Sequence, residues 1–222
     1  ADLTPGVSRA EYAARRAALA RAMPPHSAAI FAAAPALRLP GTVIPAGKYR
    51  QDADFAHYTG VTQPDCVAVV ERGRTEDDVR YALIVPKRCE RYAQWDGERI
   101  DARAGETVFG ADAAYEADER AAAYATEAVR NARGGVFVDL DKVDKDASVV
   151  HRALGARARG GGGGDGVRPV RGLSHRLRWR KSDAELALIK NSVDLDAQAF
   201  VKAFQTSRAG ATEADVMAQH EA

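Results

Sequence analysis

Short apolar runs set apart by polar punctuation constrain this chain more than any other feature. Residues 27–34 (SAAIFAAA), 66–71 (CVAVVE), 80–86 (RYALIVP) and 135–139 (GVFVD) are each strand-length and bounded by turn-forming or charged residues. Such runs read as buried strands, although for 27–34 periodicity alone also admits a helix. The polar stretch RGRTEDD joins the second run to the third, which predicts that these two strands are neighbours. Alanine-rich helical segments at about 115–132 and 146–158 lie between or after the runs. Strands alternating with helices predict a layered α/β domain.

The helix signals are local and explicit. Ser8 and Glu11 have capping-box spacing, and the helix they open carries Tyr12, Leu19 and Met23 on one face before Pro24-Pro25 ends it. A second capping box at Ser182 and Glu185 opens a helix with Leu186, Ile189, Val193, Ala197, Phe200 and Phe204 at steps of three and four. Arg208-Ala209-Gly210 ends it, and Thr212 with Asp215 starts another helix that reads as the beginning of an unfinished unit. Between these regions, GGGGGDG at 160–166 reads as a surface loop. No strand leads directly into it and no Lys-Ser/Thr follows, so it is not a phosphate cradle. The boundary of the first domain is therefore expected at 167. A connector follows over 168–181, and a second, incomplete domain over 182–222.

Composition excludes several classes. The 222 residues are 46% hydrophobic and 28% charged with a formal net charge of +1, so no global pull toward nucleic acid or anionic membrane is expected. No apolar run approaches the roughly 20 residues that span a bilayer. The N-terminus lacks a signal-peptide core, and a transit peptide removed ahead of Ala1 is compatible with it. Cys66 lies in an apolar run and Cys89 in a polar one, which reads as two free thiols in a reducing compartment rather than a disulfide or metal pair. The basic cluster of Arg168, Arg171, Arg176, Arg178, Arg180 and Lys181, with Trp179 beside it, admits a nucleic-acid reading. Solvated arginines on a connector are the favoured one.

No catalytic constellation is complete. His26, His57, His151, His175 and His220 stand at no metal-ligand spacing, and His220-Glu221 opens an HExxH pattern that the sequence, ending at Ala222, does not complete. Asp139 with Asp141 reads as a solvated pair. Asp52 with Asp54 reads as a pair that fixes turns by bonding nearby backbone N–H groups. These last two sit in YRQDADFAHYTG (49–60), a stretch whose Phe55 and Tyr58 read as inward-packing and whose Thr59-Gly60 reads as punctuation before a buried strand. Arg50 and Asp54 are expected to form a buried pair that fixes this loop.

Several segments together resemble the aminopeptidase P branch of the creatinase ("pita-bread") metallopeptidase family. They are SRAEYAARRAAL (8–19), YRQDADFAHYTGVTQPDCVAVV (49–70), VPKRCERYAQWDGERI (85–100) and LRWRKSDAELALIKNSVDLDAQAF (177–200). The most specific block is Tyr49-Arg50-Gln51, Asp54-Phe55 and Thr59-Gly60. Trp95-Asp96-Gly97 favours the mitochondrial Xaa-Pro aminopeptidase and intermediate-cleaving branch. The resemblance implies an α/β fold: an aminopeptidase P N-terminal domain, a mixed sheet flanked by helices, plus the first helices of a truncated pita-bread domain. It implies a binuclear manganese centre whose two Asp, one His and two Glu all lie beyond Ala222, so no catalytic or metal-binding residue is expected here. Trp95 is implied to line the substrate cleft.

The resemblance further implies removal of an N-terminal residue before proline, or trimming of imported precursors, by the full-length form, with this chain inactive alone. The alternative reading is a non-catalytic interaction subunit. Implied partners are a second copy through the N-domain or a protein complex, with a peptide substrate only in the full-length form and neither membrane nor nucleic acid. The implied location is the mitochondrial matrix, with cytoplasm and plastid as alternatives.

Overall fold

The computed structural model describes residues 2–42, 44–88, 93–94, 97–143, 149–159 and 166–221. They divide into two compact units, one of Ala1–Thr4 with Ser8–Trp179 and one of Pro5–Val7 with Arg180–Ala222. Elements run in the order β1 (Asp2–Thr4), β2 (Val7–Ser8), α1 (Arg9–Ala22), β3 (Ser27–Ala32), α2 (Ala53–Thr59), β4 (Val67–Arg72), β5 (Val79–Val85) and α3 (Ala102–Thr107). Next come β6 (Ala113–Glu116), α4 (Glu119–Asn131), β7 (Gly135–Val138), a 3-10 turn (Leu140–Lys142), α5 (Val149–Arg159), β8 (Val167–Arg168) and α6 (Arg171–Arg178). The chain continues into α7 (Asp183–Thr206) and α8 (Glu213–Glu221).

The first unit is built on a six-stranded sheet in the order β6-β5-β4-β3-β7-β8. Only β4 runs antiparallel: Ile30 of β3 faces Val69 of β4 on one side and Val138 of the parallel β7 on the other. The hairpin β4–β5 closes through Gly73, whose N–H donates to the Asp78 carbonyl at 2.7 Å. A mixed sheet therefore follows from one short hairpin inserted among crossover connections.

Both faces of the sheet are covered, which is why the strand runs are apolar throughout rather than alternating. Phe31, Val70 and Leu83 point to a layer with Leu19 of α1, its C-cap Met23, and Phe55 and Tyr58 of α2. Ile30, Val69, Ile84, Val136 and Val138 point to the opposite layer, where Val129 of α4 and Val150 of α5 cover them.

Helix α1 starts as its sequence dictates, with the Ser8 hydroxyl accepting from the Glu11 N–H at 3.2 Å. Its other end is closed by Arg72 from β4. That guanidinium donates to the Ala20 and Arg21 carbonyls, each at 3.1 Å, and to the Met23 carbonyl. The last carbonyls of a helix lack partners within it, and a cation there also suits the helix dipole.

Two regions differ from expectation. Residues 53–59, read as a loop, form α2, because Asp52 caps a seven-residue amphipathic turn that buries Phe55 and Tyr58. Residues 171–178, read as connector, form α6 within the first unit, with Ser174 fully buried.

In the second unit, α7 opens with the full capping box. The Ser182 hydroxyl accepts from the Glu185 N–H at 3.2 Å, and the Glu185 carboxylate accepts from the Ser182 N–H at 2.9 Å. Helix α8 meets it where the His220 ring stands edge-on to Phe200, centroids 4.9 Å apart, and 3.3 Å from the Asp196 carboxylate. Ile189, Val193, Phe200 and Phe204 of α7 remain exposed.

Candidate functional site

The segment 49–60 is held by its own side chains. The Gln51 amide oxygen accepts from the Ala34 and Asp52 N–H groups, each at 2.8 Å, while its NH₂ donates to the Val61 and Gln63 carbonyls at 3.2 and 2.9 Å. One amide thus fastens the end of β3, the start of α2 and the strand entry after it. The Tyr49 hydroxyl donates to the Ala34 carbonyl at 2.9 Å. Partial burial, aided by Cys66 and Asp65 nearby, pushes this phenol up to about 12.

Asp52 is the N-cap of α2, accepting from the Asp54 and Phe55 N–H groups at 3.0 and 2.9 Å. Gly60 is the C-cap, with φ +70°. A Cβ there would lie 2.9 Å from the Tyr12 ring, so both conformation and space require glycine. The Thr59 hydroxyl donates to the Phe55 carbonyl at 2.7 Å and accepts from the Val61 N–H at 3.0 Å. These roles explain Tyr49, Gln51, Thr59 and Gly60 of the most specific block as architecture.

Asp54 is 2% exposed and does not pair with Arg50, which lies exposed. Its Oδ1 accepts from the Arg178 guanidinium at 2.6 Å and from the Ser174 hydroxyl, and its Oδ2 accepts from the Lys142 ammonium at 3.0 Å. Lys142 also reaches Asp52, at 2.8 Å. The reason for the correction is distance along the chain. The partners come from the turn after β7 and from α6, at separations of 88, 120 and 124 residues, and the sheet order brings them together. Burial opposes ionisation of Asp54, but hydrogen bonds from Ser174, Lys142 and Arg178 outweigh it and hold the carboxyl at about 2.

Asp139 is likewise not solvated. It is 4% exposed, and its Oδ1 meets Arg171 Nε at 3.1 Å while Arg171 also binds the exposed Asp141. Two of the cluster's arginines, Arg171 and Arg178, therefore tie α6 to the rest of the first unit. Lys142 and Ser174 carried no local signal, and Arg171 and Arg178 stood out only as members of a basic cluster; a buried acid directly before a core phenylalanine was the one hint that cations had to come from elsewhere.

Beside this network lies a half-open cleft of ≈ 890 Å³. By strand direction, the carboxyl ends of β3, β5, β6 and β7 and the amino end of β4 share one edge of the sheet, and the cleft sits there. Ala33, Ala34, Val67 and Ile84 supply apolar wall, and Arg50 and Asp65 supply charge. In open α/β sheets this edge is where ligands bind.

Among the described residues, no group of three or more His, Cys, Asp or Glu side chains is placed to hold a metal ion. Asp52, Asp54, Asp139 and Asp141 are engaged with helix N–H groups or cations, and His57 packs edge-on against Tyr58 with ring centroids 4.9 Å apart. Among the described residues, these side chains do not fit a binuclear centre. Trp95, the residue implied to line a substrate cleft, lies outside the described residues, as do Cys89 and positions 160–165 of the glycine-rich loop.

Residues 12–136 match the family model described as "Aminopeptidase P, N-terminal domain". The chain is 29% identical to intermediate cleaving peptidase 55, mitochondrial, of Arabidopsis thaliana, across 99% of this chain and 42% of that protein. It is 28% identical to Xaa-Pro aminopeptidase of Escherichia coli, across 93% of this chain and 47% of that one. Identity to Xaa-Pro aminopeptidase 3 of Homo sapiens is 26%, across 99% and 45%. The chain thus spans less than half the length of these relatives. The fold superposes on aminopeptidase P from E. coli with TM-score 0.80 at 22% identity, covering 96% of this chain and 48% of that one. It also superposes on proline aminopeptidase P II from Yersinia pestis with TM-score 0.82 at 25% identity, covering 96% and 49%. The sheet of mixed direction, the capped helix α2 and the family match over residues 12–136 agree: this chain belongs to the aminopeptidase P N-terminal domain family.

Proposed function

We propose that this chain is the N-terminal part of a metallo-aminopeptidase of the Xaa-Pro or intermediate-cleaving type, and that by itself it does not turn over substrate. The carrying observation is coverage: similarity runs along 99% of this chain yet only 42% of the Arabidopsis peptidase. The ligands of a manganese pair are assigned to the polypeptide that follows in such enzymes; when bound, the two ions would supply an activated hydroxide and Lewis acidity at the scissile carbonyl. This chain's contribution is structural, with Trp95 offering a flat face for a proline ring. Association with a second copy through this domain belongs to the same proposal, as does a mitochondrial matrix location, for which the support is the Arabidopsis relative named intermediate cleaving peptidase 55, mitochondrial.

The test is release of the first residue from an Xaa-Pro-Pro peptide, with and without manganese. The purified 222-residue chain should release none. The same chain joined to the C-terminal half of a full-length relative should be active, and Trp95→Ala in that joined enzyme should lower its rate. Metal-dependent turnover by the 222-residue chain that survives repurification overturns the proposal.

A second reading, a non-catalytic interaction subunit, is favoured by the exposed apolar row Ile189, Val193, Phe200 and Phe204 on α7. Intact mass of the native product separates the two: a product well above 23.8 kDa supports the peptidase, and one at that mass supports the subunit.

A further inference from the structure

The cleft at the carboxyl edge of the sheet has a charge pattern that the fold does not need. Its apolar wall includes Ala33, Ala34, Val67 and Ile84. Most charges on its wall are already engaged: Lys142 with Asp52 and Asp54 at 2.8 and 3.0 Å, and Asp141 with Arg171. Arg50 and Asp65 differ. Both are exposed, both border the cleft, and neither forms an ion pair with any described residue. Asp65 is also held at φ +60°, a conformation uncommon for residues other than glycine, between the fastened segment 49–60 and the start of β4. Its N–H is tied to the Ala34 carbonyl at 3.4 Å.

We infer that this cleft binds a short apolar peptide by its two free ends, with Arg50 taking the carboxylate and Asp65 the ammonium. Three physical points carry it. A planar guanidinium matches a carboxylate with two parallel hydrogen bonds. A carboxylate accepts from an ammonium with comparable strength. The apolar wall that lines the same cleft removes side chains from water and strengthens both contacts by excluding solvent, and ≈ 890 Å³ lies within the size range of small-molecule and peptide sites. A free amino acid would leave most of that space unfilled, and a ligand of single charge would leave one of the two residues without a counter-ion. The inference concerns binding by the first unit and stands apart from the peptidase reading.

The test is calorimetric titration of the 222-residue chain with the tripeptide Ala-Leu-Ala in the presence of a chelator, so that no turnover contributes. Saturable binding is expected, weakened about tenfold by N-acetylation and about tenfold by C-amidation, the size of one lost charge-assisted contact. Arg50→Gln should abolish the sensitivity to C-amidation, and Asp65→Asn the sensitivity to N-acetylation. Both side chains are exposed, so circular dichroism should show folded variants, and the capped peptides test the idea on the unaltered chain in any case. Absence of saturable heat, or capped peptides binding as well as the free one, overturns the inference. So does cap sensitivity that persists in the variants.

Discussion

At the scale of single residues, Asp54 is the position where a change should be felt most. Removing one member of a buried ion pair leaves its partners' charges uncompensated. Lys142 and Arg178 are 35% and 31% exposed, so water relieves part of that loss. Asp54→Asn should therefore cost about 2–3 kcal/mol, below the range for a wholly buried pair. The sign of the pH dependence follows from the depressed carboxyl. Its contribution is complete above the ordinary carboxylate range near 3.8, and is lost as pH falls through about 2. Urea titrations of the native chain and the variant should show a constant stability gap from neutral pH to about 4 that closes below it. Gly60 makes a second residue-scale prediction. With φ +70° and the Tyr12 ring 2.9 Å from any added Cβ, Gly60→Ala should lower stability by roughly 1–3 kcal/mol in the same titration.

At the scale of elements, each helix end is specified differently. Helix α7 carries its own start in sequence, so Ser182→Ala removes one arm of the box and should cost about 1 kcal/mol. The loss should appear as faster amide exchange in the first turn of α7, with the sheet amides unchanged. Helix α1 opens on a local cap but ends on Arg72, a residue 49 positions beyond Met23. Its start was legible and its closing cation was not. Arg16 was hidden for the same reason: it is 4% exposed, donates to the Tyr58 carbonyl at 2.9 Å and lies over the Tyr81 ring at 4.1 Å. A helix face read from apolar spacing alone passes over a cation that is buried by stacking and hydrogen bonding.

At the scale of the whole molecule, the sheet and both layers packed on it belong to the unit that ends at Trp179. A chain ended there should unfold cooperatively with a sheet as stable as that of the 222-residue chain; a melting temperature lower by many degrees would show that residues 180–222 contribute to the first unit's stability. What the sequence determined by itself was whatever acts over a few residues. Apolar runs of strand length, the caps at Ser8 and Ser182, the glycine-ended block before β4 and the polar hairpin between β4 and β5 all depend on neighbours close in the chain, and all were readable. The order β6-β5-β4-β3-β7-β8, the cations around Asp54 and the cleft that Arg50 and Asp65 both border were decided only by tertiary structure. The physical reason is separation: a carboxylate at 54 needs a cation but does not specify which, and only the assembled sheet brings the turn at 142 and the helix at 178 within hydrogen-bonding distance of it.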